Sequence, residues 1–171
     1  LSVMGLKALN NLVTSICVFE TYNKIDNKKE FDKKAFIKII LDNDIYRDII
    51  VENMVENPKI MVYYHCYEVL NEASKIKPDK FVKYKNKFVA LLQHKNSYHR
   101  DFGLTLLSDL LSGVKIIDFY EFGQDFLACL NDTKMMTAEC CLENLKQIDE
   151  HSKEYTGFIV DQVTRKNNFM K

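Results

Sequence analysis

The sequence predicts an all-α protein made of stacked helical hairpins, and three observations favour this fold class. Apolar residues recur at three- and four-residue steps along most of the 171-residue chain, as on the buried face of a helix. Five Gly and two Pro leave few positions that would break a helix. The segment from Leu92 to Leu107 returns in outline 38 residues later, from Leu130 to Leu145. A repeat at this period is typical of stacked helical hairpins.

Apolar positions carry the repeat, whereas the polar positions between them vary from copy to copy. The corresponding residues are Leu92, Leu104 and Leu107 in one copy, Leu130, Leu142 and Leu145 in the next, and Met54, Cys66 and Val69 in the copy before. The repeated segments are therefore expected to be stacking units. Any specificity is expected in the polar positions.

The first half of the chain is predicted to form four helices, over residues 2–22, 30–42, 45–56 and 59–75. A polar run separates the first two. Asp44 is expected to cap the third helix, because its carboxylate can accept unpaired backbone N–H groups. Asn57 and Pro58 mark the corner before the fourth helix, with Pro58 at the first helical position.

The second half is predicted to form five helices, over residues 78–94, 97–112, 115–131, 133–150 and 152–165. Pro78 suits a helix start, Gly113 a left-handed helix end, and Asp132 or Thr133 a cap. Nine helices joined by short turns make about four hairpins plus a terminal helix, and we predict one domain over residues 1–171. A compact irregular bundle is the alternative, but it does not explain the 38-residue register.

The second helices of the hairpins resemble those of HEAT and armadillo-type repeats. In the HEAT pattern an Asp lies in the turn, a small aliphatic residue and Arg follow five and six positions on, a small residue at nine and an apolar one at thirteen. The corresponding residues are Thr137, Ala138, Cys141 and Leu145 after Asp132, and His99, Arg100, Gly103 and Leu107 after His94. The resemblance covers about residues 45–165 and implies a right-handed α-α superhelix, a HEAT-like α-solenoid. Gly103 and Cys141 would let paired helices approach closely.

The amino-acid composition limits the classes of function that the chain can have. The formal net charge is zero and the pI is about 7.1, so the whole protein has no field that would recruit nucleic acid or an anionic membrane. No apolar run has the 18 or so residues of a membrane span. Five Cys without a framework spacing, and a start without signal-peptide features, predict a reduced protein of the cytoplasm.

No residue pattern predicts catalysis, a metal or a cofactor. His99, Arg100 and Asp101 are neighbours on a helix, so their side chains point about 100° apart. Cys140 and Cys141, with Cys129, lack the CxxC spacing of zinc sites. No phosphate-binding or hydrolase motif occurs in the sequence. We therefore predict a protein that is not an enzyme.

Positions expected to face outward on successive second helices form a candidate partner-binding surface. They are Tyr63 and Tyr67, then Arg100, Asp101 and Thr105, then Glu139 and Glu143. Second helices of such solenoids usually line the concave side, where protein partners bind. Exposed Tyr suits interfaces because it offers a large area at little entropy cost. The alternative is that Tyr63 and Tyr67 pack against the first helices.

Charge is segregated along the chain. Residues 75–100 hold eight basic side chains and one acidic, whereas residues 101–154 hold four basic and eleven acidic. A basic stripe comprises Lys77, Lys80, Lys83 and Lys87. It can be a solvated face, or it can orient a protein partner or a second copy of the chain. The alternative function is nucleic-acid binding through this stripe, within Lys75–Lys87.

Overall fold

The computed structural model describes residues 24–25 and 31–169, with side chains as far as residue 165. Every regular element in these ranges is a helix, and no strand occurs among them, which confirms the all-α class. The helix predicted over residues 2–22 lies outside the described residues.

Within residues 31–169, eight α-helices are joined by short turns and 3₁₀ helices. The α-helices are α1 Lys33–Asp42, α2 Asp44–Glu56, α3 Ile60–Ile76, α4 Lys85–Leu91, α5 Ser97–Gly113, α6 Gly123–Ala128, α7 Met135–His151 and α8 Thr156–Phe169. The 3₁₀ helices are Pro78–Tyr84, Phe119–Glu121, Cys129–Asn131 and Lys153–Tyr155.

The helices α3, α5 and α7 reproduce the sequence repeat. Each has 17 residues, and they begin at residues 60, 97 and 135, which are 37 and 38 positions apart. The period read from the apolar residues is therefore the spacing of three equal helices. That these helices wind into a superhelix stays a prediction.

The two elements predicted as long first helices, over residues 78–94 and 115–131, are instead composites of 3₁₀ and short α segments. In the first of them, Phe81 and Tyr84 are both buried and lie three residues apart. This is one turn of a 3₁₀ helix, so the tighter winding brings both rings to the core. Pro78 does occupy the first helical turn, as predicted.

Two predicted helix ends are wrong in detail. Asn43, and not Asp44, caps α2, because its Oδ1 accepts from the backbone N–H of Ile45 and of Tyr46 at 2.9 and 3.3 Å. Asp44 instead forms an ion pair with Arg47. Before α7, neither Asp132 nor Thr133 is the cap residue, because Lys134 holds that position.

Gly113 is also not the predicted left-handed helix end, since no described glycine has a positive φ. It is the last residue of α5, and Val114 after it is extended. A Cβ at Gly113 would overlap the ring of Pro78. The position therefore requires glycine for space.

The chain divides into two compact units between Ala73 and Ser74. In the first unit, Ile40, Ile50 and Met54 are fully buried, and the rings of His65 and Phe31 stack at 4.0 Å. In the second unit, the core is built on Phe rings and on the leucines of α5. The prediction of one domain over residues 1–171 stays a prediction.

In the second unit, α5 packs against α4 and against α7. A Cβ at Gly103 would lie 2.9 Å from the carbonyl oxygen of Phe88 and 3.0 Å from Cβ of Leu91, so this side of α5 touches the α4 segment. Thr105, about 200° further round the helix, contacts Cys140 of α7. α5 thus lies between α4 and α7, and the close approach predicted at Gly103 is confirmed.

Candidate functional site

The outer side of α7 exposes apolar and acidic residues together. Met135 and Met136 are 73 % and 74 % exposed, and Leu142 is 49 % exposed. Glu139 and Glu143 are exposed on the same side. These five residues are called the α7 face below. It is the candidate site, because Met side chains adapt to many partner shapes and large apolar residues at a surface mark binding.

The position of the α7 face follows from how α7 is buried on its other sides. Cys141, Leu145 and Ile148 turn into the core, and Cys140 and Asn144 contact α5. The sequence repeat placed Leu142 among the buried apolar columns, and this prediction is wrong. Leu142 follows the fully buried Cys141 and points about 100° away from it, toward solvent.

Hydrogen bonds from polar side chains contribute to the contact between α7 and α5. The Ser108 hydroxyl donates to the carbonyl oxygen of Asn144 at 3.5 Å. The Gln147 amide donates to Oγ of Ser112 at 3.3 Å and to the Asp109 carboxylate at 3.5 Å. Together these hydrogen bonds contribute to the position of α7 along α5, and thereby to the orientation of the α7 face.

Cys140 belongs to the same α5–α7 contact, where its Sγ lies 3.9 Å from Oγ1 of Thr105. Burial raises the pKa of the Cys140 thiol to about 11, so the thiol is protonated at neutral pH. A protonated thiol is a poor nucleophile. In this position Cys140 is a packing residue.

Arg100, predicted on the partner-binding surface, is held in an ion pair with Asp132. Their side chains are only 13 % and 9 % exposed, respectively. The Arg100 guanidinium is the main cause that lowers the pKa of the Asp132 carboxyl. The guanidinium is therefore engaged in an intramolecular ion pair, and little of it is accessible to a binding partner.

Asp101, the next predicted residue, is half-buried, as is Thr105. Burial raises the pKa of the Asp101 carboxyl, and Thr137 and Arg100 oppose this effect. Asp101 is thus less accessible to a partner than the glutamates of the α7 face.

The tyrosines predicted at the surface lie in the first unit. Tyr63 is 4 % exposed and belongs to the core, which agrees with the alternative that it packs inside. Tyr67 is half-buried, and its ring lies 6.4 Å from the ring of Tyr64. Tyr64 is the exposed one. The outward position on α3 therefore differs by one residue from the sequence prediction.

The basic stripe runs along the 3₁₀ helix Pro78–Tyr84 and into α4. Lys77, Lys83 and Lys87 are exposed and Lys80 is half-buried. Three residues per turn place Lys80 and Lys83 one above another at an interval of about 6 Å, and Lys77 immediately precedes this helix. Lys83 Nζ also lies 4.9 Å from the ring centroid of Tyr84.

A cleft at the carboxyl ends of α5 and α7 was not predicted. One part, of about 240 Å³, contains Asp109, which is 5 % exposed and accepts from the Ser74 hydroxyl at 3.2 Å. Burial raises the pKa of the Asp109 carboxyl. An adjoining groove of about 630 Å³ is lined by residues of the segments 111–117 and 151–155. The cleft mixes cationic and anionic groups.

Two structural tests bear on other functions. No group of three or more His, Cys, Asp or Glu is arranged to hold a metal within residues 24–25 and 31–165. In the same part of the chain, no helix is long and apolar enough to cross a membrane.

Comparison of the chain with protein-family models, with curated proteins and with solved structures finds no match. The described residues define an all-helical protein with three equal helices at a regular spacing. Its function is therefore argued from its own surfaces.

Proposed function

We propose that the chain is a non-enzymatic, HEAT-like helical scaffold that binds a protein partner through the α7 face. The observation that carries the proposal is the exposure of Met135, Met136 and Leu142 beside Glu139 and Glu143 on one side of one helix. Apolar side chains supply area to bury, and the glutamates select the charge of the partner. The four described cysteines are free, which fits the reducing cytoplasm predicted from the sequence.

The chemistry of the α7 face defines the partner. Glu139 and Glu143 are four residues apart on a helix, so their carboxylates lie about 6 Å apart along its axis. The surrounding segment, residues 101–154, carries seven more acidic than basic side chains, eleven against four. A partner that fits offers basic side chains beside apolar ones, as an amphipathic basic helix does.

Fluorescence anisotropy with a labelled synthetic helix tests the proposal. The peptide carries lysine and leucine on one face, and a matched peptide carries glutamate in place of lysine. We expect the first to bind and the second not to bind, because the glutamate peptide meets like charges. Glu139→Lys/Glu143→Lys should weaken binding at least about tenfold.

The chain offers a matched control for this double variant. Glu52 and Glu56 are also exposed, also four residues apart, and lie on α2. Glu52→Lys/Glu56→Lys changes the net charge equally and should leave binding near the wild-type value. If the two double variants lost the same affinity for the peptide, binding would depend only on the overall charge of the protein, and the proposal would fail.

Nucleic-acid binding through the basic stripe is the second candidate. The observation in its favour is the alignment of Lys80 and Lys83 along a 3₁₀ helix, with Lys77 just before it. A titration against duplex and single-stranded DNA at several salt concentrations tests it. Tight binding whose affinity falls steeply with salt would support it, because released counterions drive such binding. Absence of binding at low salt would exclude it.

A further inference from the structure

The second unit carries two exposed surfaces of opposite charge, and each combines charge with apolar area. The basic stripe begins beside Ile76, which is itself exposed. The α7 face holds two glutamates beside three exposed apolar side chains. The aliphatic stems of lysine can also cover apolar surface while their ammonium groups reach a carboxylate. The two surfaces therefore have complementary chemistry.

Their charges are also repeated at the same interval. Lys80 and Lys83 are one 3₁₀ turn apart, which is about 6 Å along the axis at about 2.0 Å per residue. Glu139 and Glu143 are four residues apart on an α-helix, which is also about 6 Å at 1.5 Å per residue. Two lysines of the stripe can thus face two glutamates of the α7 face at once.

The two surfaces belong to different elements that pack on α5. The 3₁₀ helix and α4 form one continuous segment, and α4 packs on the side of α5 that carries Gly103. α7 packs on the opposite side, through Thr105 and Ser108. Within the described residues, no ion pair joins a lysine of the basic stripe to Glu139 or Glu143, so the two surfaces are not paired with each other within one chain.

We propose that the occupant of the α7 face is the basic stripe of a second copy of this chain. The proposal rests on the proposed function, because it names a partner for the same face. The contact joins two different surfaces, so each copy retains one unused basic stripe and one unused α7 face. Such head-to-tail contacts produce rings or open chains and not a simple two-fold dimer.

Sedimentation velocity on the full chain tests the association. We expect the average mass to rise with protein concentration at about 50 mM salt and to fall towards the monomer at about 500 mM, where charges are screened. Glu139→Lys/Glu143→Lys and, separately, Lys77→Glu/Lys83→Glu should each weaken association at least about tenfold. The matched controls are Glu52→Lys/Glu56→Lys on α2 and Lys34→Glu/Lys38→Glu on α1, whose residues are all exposed.

Mixing the two interface variants gives the decisive readout. The first variant keeps an intact basic stripe and the second keeps an intact α7 face. Each should be monomeric alone, because its two surfaces then carry charge of the same sign. An equimolar mixture should associate again, because the intact stripe of one variant meets the intact α7 face of the other. Thermal melts of the two variants establish that both are folded.

A mixture that stays monomeric while both variants are folded would overturn the proposal. So would association that charge reversal at either surface does not change. Peptide binding to the α7 face separates this failure from failure of the proposed function. If the wild-type chain binds the lysine peptide yet stays monomeric, the proposed function stands and the proposal of a second copy as partner is wrong. If the wild-type chain neither binds the lysine peptide nor associates with itself, both the proposed function and the proposed second-copy contact are wrong.

Discussion

The Arg100 guanidinium holds the Asp132 carboxylate through two hydrogen bonds, from Nε to Oδ2 at 2.6 Å and from Nη2 to Oδ1 at 2.7 Å. Nη1 of Arg100 also donates to the carbonyl oxygen of His94 at 2.7 Å. The pair therefore ties the turn before α5 to the turn before α7. In the 38-residue repeat Asp132 corresponds to His94, whereas the cation comes from the first turn of α5.

Removing one member of this pair should be costly, because it leaves the other charge largely buried without an opposite charge beside it. We expect Asp132→Ala to lower the free energy of unfolding by about 3 kcal/mol. Urea denaturation measures the change. The control is Asp161→Ala, which breaks the exposed ion pair with Arg165 and should cost less than about 1 kcal/mol. Similar losses for the two variants would show that the Arg100–Asp132 pair does not join the turns.

The same pair predicts a loss of stability in acid. Arg100 lowers the pKa of Asp132 below that of the unfolded chain. The stabilisation is therefore complete above the unfolded value of about 3.9 and is lost as the pH falls through the lower, folded pKa. The difference in unfolding free energy between wild type and Asp132→Asn should shrink as the pH falls below about 4. A difference that does not change with pH would contradict the assigned pKa shift.

Asp109 should show the opposite pH dependence. Burial raises its pKa, so the folded chain holds the proton to a higher pH than the unfolded chain does. Stability then falls as the pH rises from the unfolded to the folded pKa. Asp109→Asn, which has no charge to bury, should be about 1 kcal/mol more stable than wild type at neutral pH. The gain should vanish below pH about 4, where wild-type Asp109 is also protonated.

Chemical denaturation at neutral pH and below pH about 4 measures the effect of Asp109→Asn on the free energy of unfolding. Asp79→Asn at an exposed position is the control and should change the free energy of unfolding by less than about 0.5 kcal/mol. A destabilised Asp109→Asn at neutral pH would mean that the folded chain uses the carboxylate charge.

Gly103 should not tolerate a larger side chain. Its Cβ would press on the Phe88 carbonyl and on Leu91, so Gly103→Leu should cost about 1–3 kcal/mol. Gly157 on α8 is the matched control, because nothing lies within 4 Å of a Cβ built there. Gly157→Leu should be neutral or gain up to about 1 kcal/mol, since leucine favours a helix over glycine. Thermal or urea unfolding measures both, and a Gly103→Leu variant as stable as wild type would contradict the close packing of α4 and α5.

The sequence was sufficient to predict the helices that bury a regular apolar side. The prediction of helix 97–112 agrees with α5 to within one residue, and 59–75 agrees with α3 with both ends shifted by one. It was not sufficient where helix type depends on tertiary packing. Phe81 and Tyr84 reach the core in a 3₁₀ turn, and their spacing of three also suits an α-helix.

The candidate site was predicted only in part. Glu139 and Glu143 lie at the surface as expected, because charged residues on a helix seldom lose water. The prediction for Leu142 was wrong, because an apolar residue at a position that is apolar in every copy of the repeat is expected to be buried. Nothing in a linear pattern tells which of two adjacent apolar or aromatic residues turns outward, as with Tyr63 and Tyr64. That choice depends on which neighbouring helix covers each side.

NMR shift mapping of the wild-type chain with the lysine–leucine peptide tests the central claim most directly. We expect the largest changes in backbone amide shifts between Met135 and Lys146 on α7. The changes should disappear in Glu139→Lys/Glu143→Lys and persist in Glu52→Lys/Glu56→Lys. Changes confined to the cleft around Asp109, to the basic stripe or to α2 would contradict the assignment of the α7 face as the binding site.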